Sequence, residues 1–252
     1  MNHVTIRKTT LGVGIPKIFV PLISKTPEEL FADAAAIART AADIVEWRAD
    51  WQESIFEEGR VLNILRSLRE QLGEMPLLFT FRTFPEGGNM EATGEQYKSL
   101  TATAITSGLV DMVDIELSAG EETVKELISL AKERDVKVIM SNHDFYATPS
   151  KEEMIGRLRR MEELGTDIAK IAVMPGCPED VLALLETTLE AKKSLSCPII
   201  TMSMKGSGLI SRLCGEVFGS CGTFGTAGAA SAPGQIDAGE LKTVLEIIHK
   251  SL

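Results

Sequence analysis

The chain has 252 residues and a formal net charge of −10, a balance that argues against general affinity for nucleic acid or anionic lipid but leaves room for a small anion in a locally basic cleft. Apolar residues make up 44% and charged residues 25%, an ordinary globular composition that buries a core without staples. Cys177, Cys197, Cys214 and Cys221 form no CxxC pair and have no histidine at metal-ligand spacing, and no apolar leader or membrane-length run is present, so the expectation is a cytoplasmic enzyme with reduced spectator thiols.

In chain order, Val4–Arg7 and Leu11–Gly14 read as a small hairpin. Eight short apolar runs follow: Lys17–Leu22, Asp43–Arg48, Leu77–Arg82, Met112–Leu117, Lys137–Asn142, Ile168–Met174, Pro198–Met204 and Cys221–Phe224. Between and after them the spacing predicts amphipathic helices over Pro27–Thr40, Glu57–Leu72, Thr93–Ser107, Glu121–Arg134, Lys151–Leu164, Pro178–Leu195, Leu209–Val217 and Ala238–His249. Val61, Ile64, Leu65, Leu68 and Leu72 share one helical face. Eight strands alternating with eight helices predict a (β/α)8 TIM barrel, with the hairpin closing its floor. A doubly wound open sheet announces itself with a glycine-rich turn after the first strand, whereas PLISKT stands there. No linker divides the chain, so 1–252 reads as a single barrel domain.

In a barrel, chemistry gathers at the C-terminal ends of the strands. Alternation puts Ile44, Glu46 and Arg48 on one face of the second run, and Asp114 and Glu116 on one face of the fourth. Arg82 ends the third run with Glu86 four residues on, and His143 ends the fifth. Each alone fits a barrel-lining ion pair or a capped loop; strand after strand, the set points to a site.

Lys170 lies among small and aliphatic neighbours in TDIAKIAVMP. Burial lowers a lysine's pKa and yields an amine nucleophilic toward carbonyls. By itself the residue fits a salt bridge to Glu46, Asp114 or Glu116 equally well. His143 is the natural proton-transfer group, and Glu86 is placed to orient it. Arg48, Arg82 and Arg212 suggest a carboxylate-bearing substrate. TFGTAGAASAPGQI after the last strand reads as a loop able to close, with Ser231 and Gln235 offering neutral hydrogen bonds. Met202 and Met204 share a face, for packing or for substrate contact.

The segments EWRAD (46–50), LLFTFRTFPEGG (77–88), VDMVDIEL (110–117), VIMSNHDF (138–145), DIAKIAVMP (167–175), PIITMSM (198–204), ISRLCGEVFGS (210–220) and SAPGQI (231–236) together resemble type I 3-dehydroquinate dehydratase along essentially the whole chain. The resemblance implies a (β/α)8 homodimer that dehydrates 3-dehydroquinate to 3-dehydroshikimate, the third step of the shikimate route, with no metal or organic cofactor. It implies that Lys170 forms an imine with the substrate ketone, that His143 transfers the protons and that Glu86 positions His143. Substrate contacts carry over to Glu46, Arg48, Arg82, Arg212, Ser231 and Gln235, with Arg212 on the carboxylate, and Phe145, Met202 and Met204 pack near the ring. The sequence departs from the family pattern at Pro21, where some members have a serine, and in the KGSG loop after Met204. Three other readings remain: an aldolase-type Schiff-base lyase, a metal-dependent isomerase with Glu46, Asp114, Glu116 and His143 as ligands, and a non-catalytic carboxylate-binding barrel.

Overall fold

The computed structural model describes residues 3–228 and 230–252. It opens with an antiparallel hairpin of β1 (Val4–Ile6) and β2 (Thr9–Leu11). The second hairpin strand is therefore not Leu11–Gly14 but Thr9–Leu11. The chain reverses at Arg7, whose φ is 52°, and Gly12 and Gly14, at φ 92° and 64°, leave the extended region and end the strand.

The remaining elements alternate. They are β3 (Lys17–Leu22), α1 (Pro27–Ile37), β4 (Ile44–Arg48), α2 (Arg60–Leu72), β5 (Leu77–Thr80), α3 (Gly94–Thr106), β6 (Met112–Glu116), α4 (Glu121–Glu133), β7 (Lys137–Asp144), α5 (Lys151–Glu163), β8 (Ile168–Val173), α6 (Pro178–Ser194), β9 (Ile199–Ser203), α7 (Leu209–Leu213), α8 (Gly215–Phe218), β10 (Gly222–Phe224) and α9 (Ala238–His249). The helix starts have local causes. Thr26 and Thr93 form reciprocal capping boxes with Glu29 and Gln96, and Ser150 and Asp237 accept backbone N–H groups of the first turns. The predicted helix Leu209–Val217 is two short helices. Cys214 (φ −99°, ψ 18°) breaks it, and Gly215 is pressed so close to the Ser220 carbonyl that a Cβ there would lie 2.9 Å from its oxygen. Among the described residues no helix is long and apolar enough to cross a membrane.

The eight strands β3 to β10 pair in parallel in the order β10-β3-β4-β5-β6-β7-β8-β9. The ring closes where the Cys221 N–H donates to the Ile199 carbonyl at 2.8 Å. Right-handed βα repeats explain the parallel order, and TIM barrels the closure. Outward-facing Val20, Val45, Trp47, Phe79, Ile115, Met140 and Ile171 pack with the helices in one apolar layer. In α2, Val61, Ile64, Leu65, Leu68 and Leu72 are all buried in it, each stabilising the fold by about 1.5–3 kcal/mol.

Inward-facing Phe19, Ile44, Leu78, Met112, Ile139, Ile168 and Ile200 form a second apolar layer, together with Val4, Ile6 and Leu11 of the hairpin. The hairpin thus caps the N-terminal end of the barrel interior. Above this layer the same strand faces turn polar, beginning with Glu46, Thr80, Asp114, Ser141 and Lys170, all buried. Pro21 sits in β3 opposite Glu46. The Phe19 carbonyl takes the Gly225 N–H on the β10 side, and β10 pairs no further than Phe224. The missing N–H of Pro21 thus costs no ladder bond.

Candidate active site

A cleft opens at the C-terminal ends of the strands. Its walls hold all nine residues singled out from sequence: Lys170, His143, Glu86, Glu46, Arg48, Arg82, Arg212, Ser231 and Gln235. Phe145, Met202, Met204 and Phe224 supply apolar surface. Pro21 faces a neighbouring hollow with Asp33 and Ala227 instead.

Lys170 projects inward from β8 and is 3% exposed. Its Nζ lies 3.5 Å from Asp114 Oδ2 and 4.4 Å from the centre of the Phe224 ring. Burial lowers its pKa, with Asp114 and Glu46 opposing the shift. The Asp114 contact is loose because that carboxylate is engaged more closely elsewhere: Arg82 Nη2 lies at 2.9 Å and the Ser141 hydroxyl donates at 2.6 Å. Burial would raise the Asp114 pKa, but Arg82 first and Lys170 second hold it well below the usual carboxylate range. Arg82 is thus the closer ion-pair partner of Asp114, and Lys170 keeps the longer contact with the same carboxylate.

The Arg82 guanidinium also donates to Glu116 at 2.8 Å and to the Ser141 hydroxyl at 3.0 Å. Burial and the neighbouring carboxylates act on it in opposite directions, and the carboxylates win, raising its pKa. Arg48 makes a two-pronged pair with Asp50, both bonds at 2.7 Å, and Asp50 also accepts the Asn89 N–H.

Arg212, from α7, differs from both. It is 1% exposed, and among the described residues it donates only to Met202 Sδ at 3.5 Å and the Pro233 carbonyl at 3.3 Å, leaving Nε without a partner. Among the described residues no carboxylate pairs with it, and burial pulls its pKa down to about 10. A buried guanidinium without a counter-ion is costly, and an incoming carboxylate relieves that cost. Residue type and position alone treat the three arginines alike, and the family resemblance points to Arg212; among the described residues it is the one of the three with no carboxylate partner.

His143, near the end of β7, places Nδ1 3.0 Å from Glu86 Oε2, and the same oxygen accepts the His143 backbone N–H at 3.0 Å. The other Glu86 oxygen accepts from the Ser118 hydroxyl at 2.5 Å and the Asn142 amide at 3.4 Å. Donation of Nδ1–H to Glu86 fixes the tautomer and leaves Nε2 free to accept a proton. Burial, then Arg82 and Lys170, push the His143 pKa well below its ordinary value, so the ring is neutral at neutral pH. Burial raises the Glu86 pKa, with Arg82 opposing. The register sets Ser141 opposite Lys170 and His143 opposite Ala172. The imidazole therefore stands one inward-facing step nearer the mouth than the amine.

Sequence reasoning did not assign three supporting groups: Asp114 as the bridge between Arg82 and Lys170, Ser118 behind Glu86, and Phe224 beneath the amine. Asp114 was visible as an inward acid; its partner depends on strand register. Ser118 carries no sequence signal. The metal-ligand arrangement does not form, because Asp114 and Glu116 turn onto Arg82; among the described residues no three His, Cys, Asp or Glu side chains gather as a metal site. Burial pushes the Cys197 thiol up to about 11 and Cys221 up to about 12, so both stay protonated spectators.

Fold and site together define a (β/α)8-barrel enzyme organised around a buried amine. Residues 18–252 match the type I 3-dehydroquinase family, and the chain belongs to that family. It is 49% identical over 250 residues to the 3-dehydroquinate dehydratase of Listeria welshimeri, covering 99% of each chain. It is 48% identical over 252 residues to that of Clostridioides difficile strain 630, covering 100% of this chain and 99% of the relative. The fold superimposes with a TM-score of 0.97 on a crystal structure of type I 3-dehydroquinate dehydratase from Clostridium difficile with covalently modified comenic acid. That structure is 47% identical, with 100% of this chain and 99% of the other covered.

Proposed function

We propose that this chain dehydrates 3-dehydroquinate to 3-dehydroshikimate through an imine on Lys170. The observation that carries the reading is the buried Lys170 amine, loosely held by Asp114, with the Glu86-oriented His143 one step above it and, in the same cleft, an Arg212 that no carboxylate pairs among the described residues. The neutral Lys170 amine attacks the C3 ketone, and the ketone oxygen leaves as water. The protonated imine draws electrons from the C2–H bond, and His143 Nε2 takes that proton. The resulting enamine expels the C1 hydroxyl, which leaves as water with the proton returned by His143, on the same face. A final water hydrolyses the conjugated imine and frees Lys170, so the net change is loss of one water. Arg212 holds the carboxylate; Glu46, Arg48, Arg82, Ser231 and Gln235 contact the remaining polar groups. The proposal extends to a cytoplasmic homodimer serving the third step of the shikimate route, as the family resemblance implies.

Borohydride added during turnover is expected to inactivate the enzyme and to add the mass of the reduced ligand to the peptide bearing Lys170. An unmodified Lys170 peptide under those conditions would sink the imine. Arg212→Ala is expected to raise KM by about 100-fold, the loss of a desolvated charge pair. The rise in KM is checked by steady-state kinetics, and an unchanged KM would move the carboxylate to another arginine.

A further inference from the structure

Lys205 lies in the loop between β9 and α7 with φ 60° and ψ 175°. An L side chain rarely occupies that region, which is essentially glycine's, and a residue there persists only where its surroundings hold it. Two sets of contacts are available to hold it. One is local: the Gly208 N–H donates to the Lys205 carbonyl at 3.2 Å. The other comes from the segment that carries Ser231 and Gln235. The Lys205 N–H donates to the Pro233 carbonyl at 3.2 Å. Gly234, at φ 82°, packs so closely that a Cβ there would stand 2.2 Å from the Lys205 oxygen. The Lys205 side chain itself is exposed and makes no hydrogen bond or ion pair among the described residues. The feet of this segment are tied separately, by Thr226 N–H to Ile236 at 2.8 Å and Ala238 N–H to Thr226 at 2.9 Å. Between these feet, Pro233 and Gly234 rest on the Lys205 backbone, and the Pro233 carbonyl also accepts from Arg212 at 3.3 Å.

We infer that Lys205 is a positioning residue: a strained backbone seat that sets how firmly the 226–237 segment, and with it Ser231 and Gln235, stays docked over the cleft. The strain exists while the segment is seated and is relieved when it lifts, because undocking removes the Pro233 and Gly234 contacts. The docked state is therefore weaker than it would be on a residue at ease with positive φ, which favours release of a bound molecule over retention. This inference rests on the proposed function in taking the segment to cover the ligand.

The test compares Lys205→Gly, which removes the strain, with Lys205→Ala, which keeps it and removes the charge. In the full-length enzyme without ligand, K205G is expected to slow amide hydrogen exchange across 226–236 by about tenfold. K205G is also expected to lower KM for 3-dehydroquinate by about tenfold, equivalent to ~1.4 kcal/mol. K205A is expected to leave both within about twofold of the parent. Slower exchange in K205G with no dehydration of 3-dehydroquinate by either protein would leave the seat in place and sink the proposed reaction. A higher Tm for K205G with unchanged exchange and KM would overturn the seat, placing the strain in the 205–208 turn alone. An equal response in K205A would overturn it in favour of the side-chain charge.

Discussion

Lys170→Ala is expected to lower kcat by about 10⁵-fold or more, the scale on which removing a covalent nucleophile acts, while the folded structure survives. Among the described residues lining the cleft no other amine stands ready to replace it. Arg48, Arg82 and Arg212 share the cleft, but a guanidinium remains protonated and forms no imine under these conditions. Loss of the ammonium also leaves no orphaned acid. Asp114 keeps Arg82 at 2.9 Å and Ser141 at 2.6 Å, so the destabilisation of roughly 3–5 kcal/mol expected when a tight buried pair is broken does not apply. Lys170→Met, which refills the volume with apolar atoms, is expected to unfold at a temperature no lower than the parent. Steady-state assay, borohydride labelling and thermal unfolding check the three parts; a kcat within tenfold of the parent would remove Lys170 from the chemistry.

The second large effect belongs to His143. His143→Ala is expected to lower kcat by about 10³–10⁴-fold, yet borohydride still labels Lys170, because the amine is intact and only proton transfer is lost. In the parent, two groups shape the acid side of kcat/KM, since Lys170 attacks only as the neutral amine and His143 accepts a proton only as the neutral imidazole. Burial and the nearby Arg82 and Lys170 place the His143 step below the ordinary histidine range, and His143→Ala removes that step while leaving the Lys170 one. Stability follows the same sign. The folded state holds His143 neutral where the unfolded chain, with an ordinary pKa of about 6.5, takes up a proton. The contribution is thus fully present above about pH 6.5 and is lost as pH falls from there through the lower folded value. A step lost in His143→Ala that is centred at or above the ordinary histidine value would contradict the burial of the imidazole beside Arg82 and Lys170.

The barrel was readable because its strands are apolar on both faces, except where function intrudes. Glu46, Arg48, Asp114 and Lys170 stand out against buried neighbours, and strand period put Glu46 with Arg48, and Asp114 with Glu116, on a shared face. The hairpin register was not readable, since Arg7 and Lys8 form the turn without a glycine or asparagine to mark it. The break at Cys214 was hidden because the cause, the approach of the Ser220 carbonyl to Gly215, lies in a contact rather than in local propensity. The pairing of inward charges was equally hidden. Sequence offered Glu46, Asp114 and Glu116 as partners for Lys170 and three arginines for a carboxylate. Only the register across β5, β6 and β7 assigns Arg82 to Asp114 and Glu116, and so leaves Lys170 loosely held and Arg212 alone.

The hairpin beneath the barrel has a consequence for traffic. With Val4, Ile6 and Leu11 joined to the inner apolar layer, the cleft is a blind cup with one mouth. On the proposed chemistry, two waters leave and one enters for every ketone processed, and all must pass the mouth whose walls include Ser231 and Gln235. Turnover then becomes a queue at one doorway, in which the final hydrolytic water and the departing product use the same opening in opposite directions.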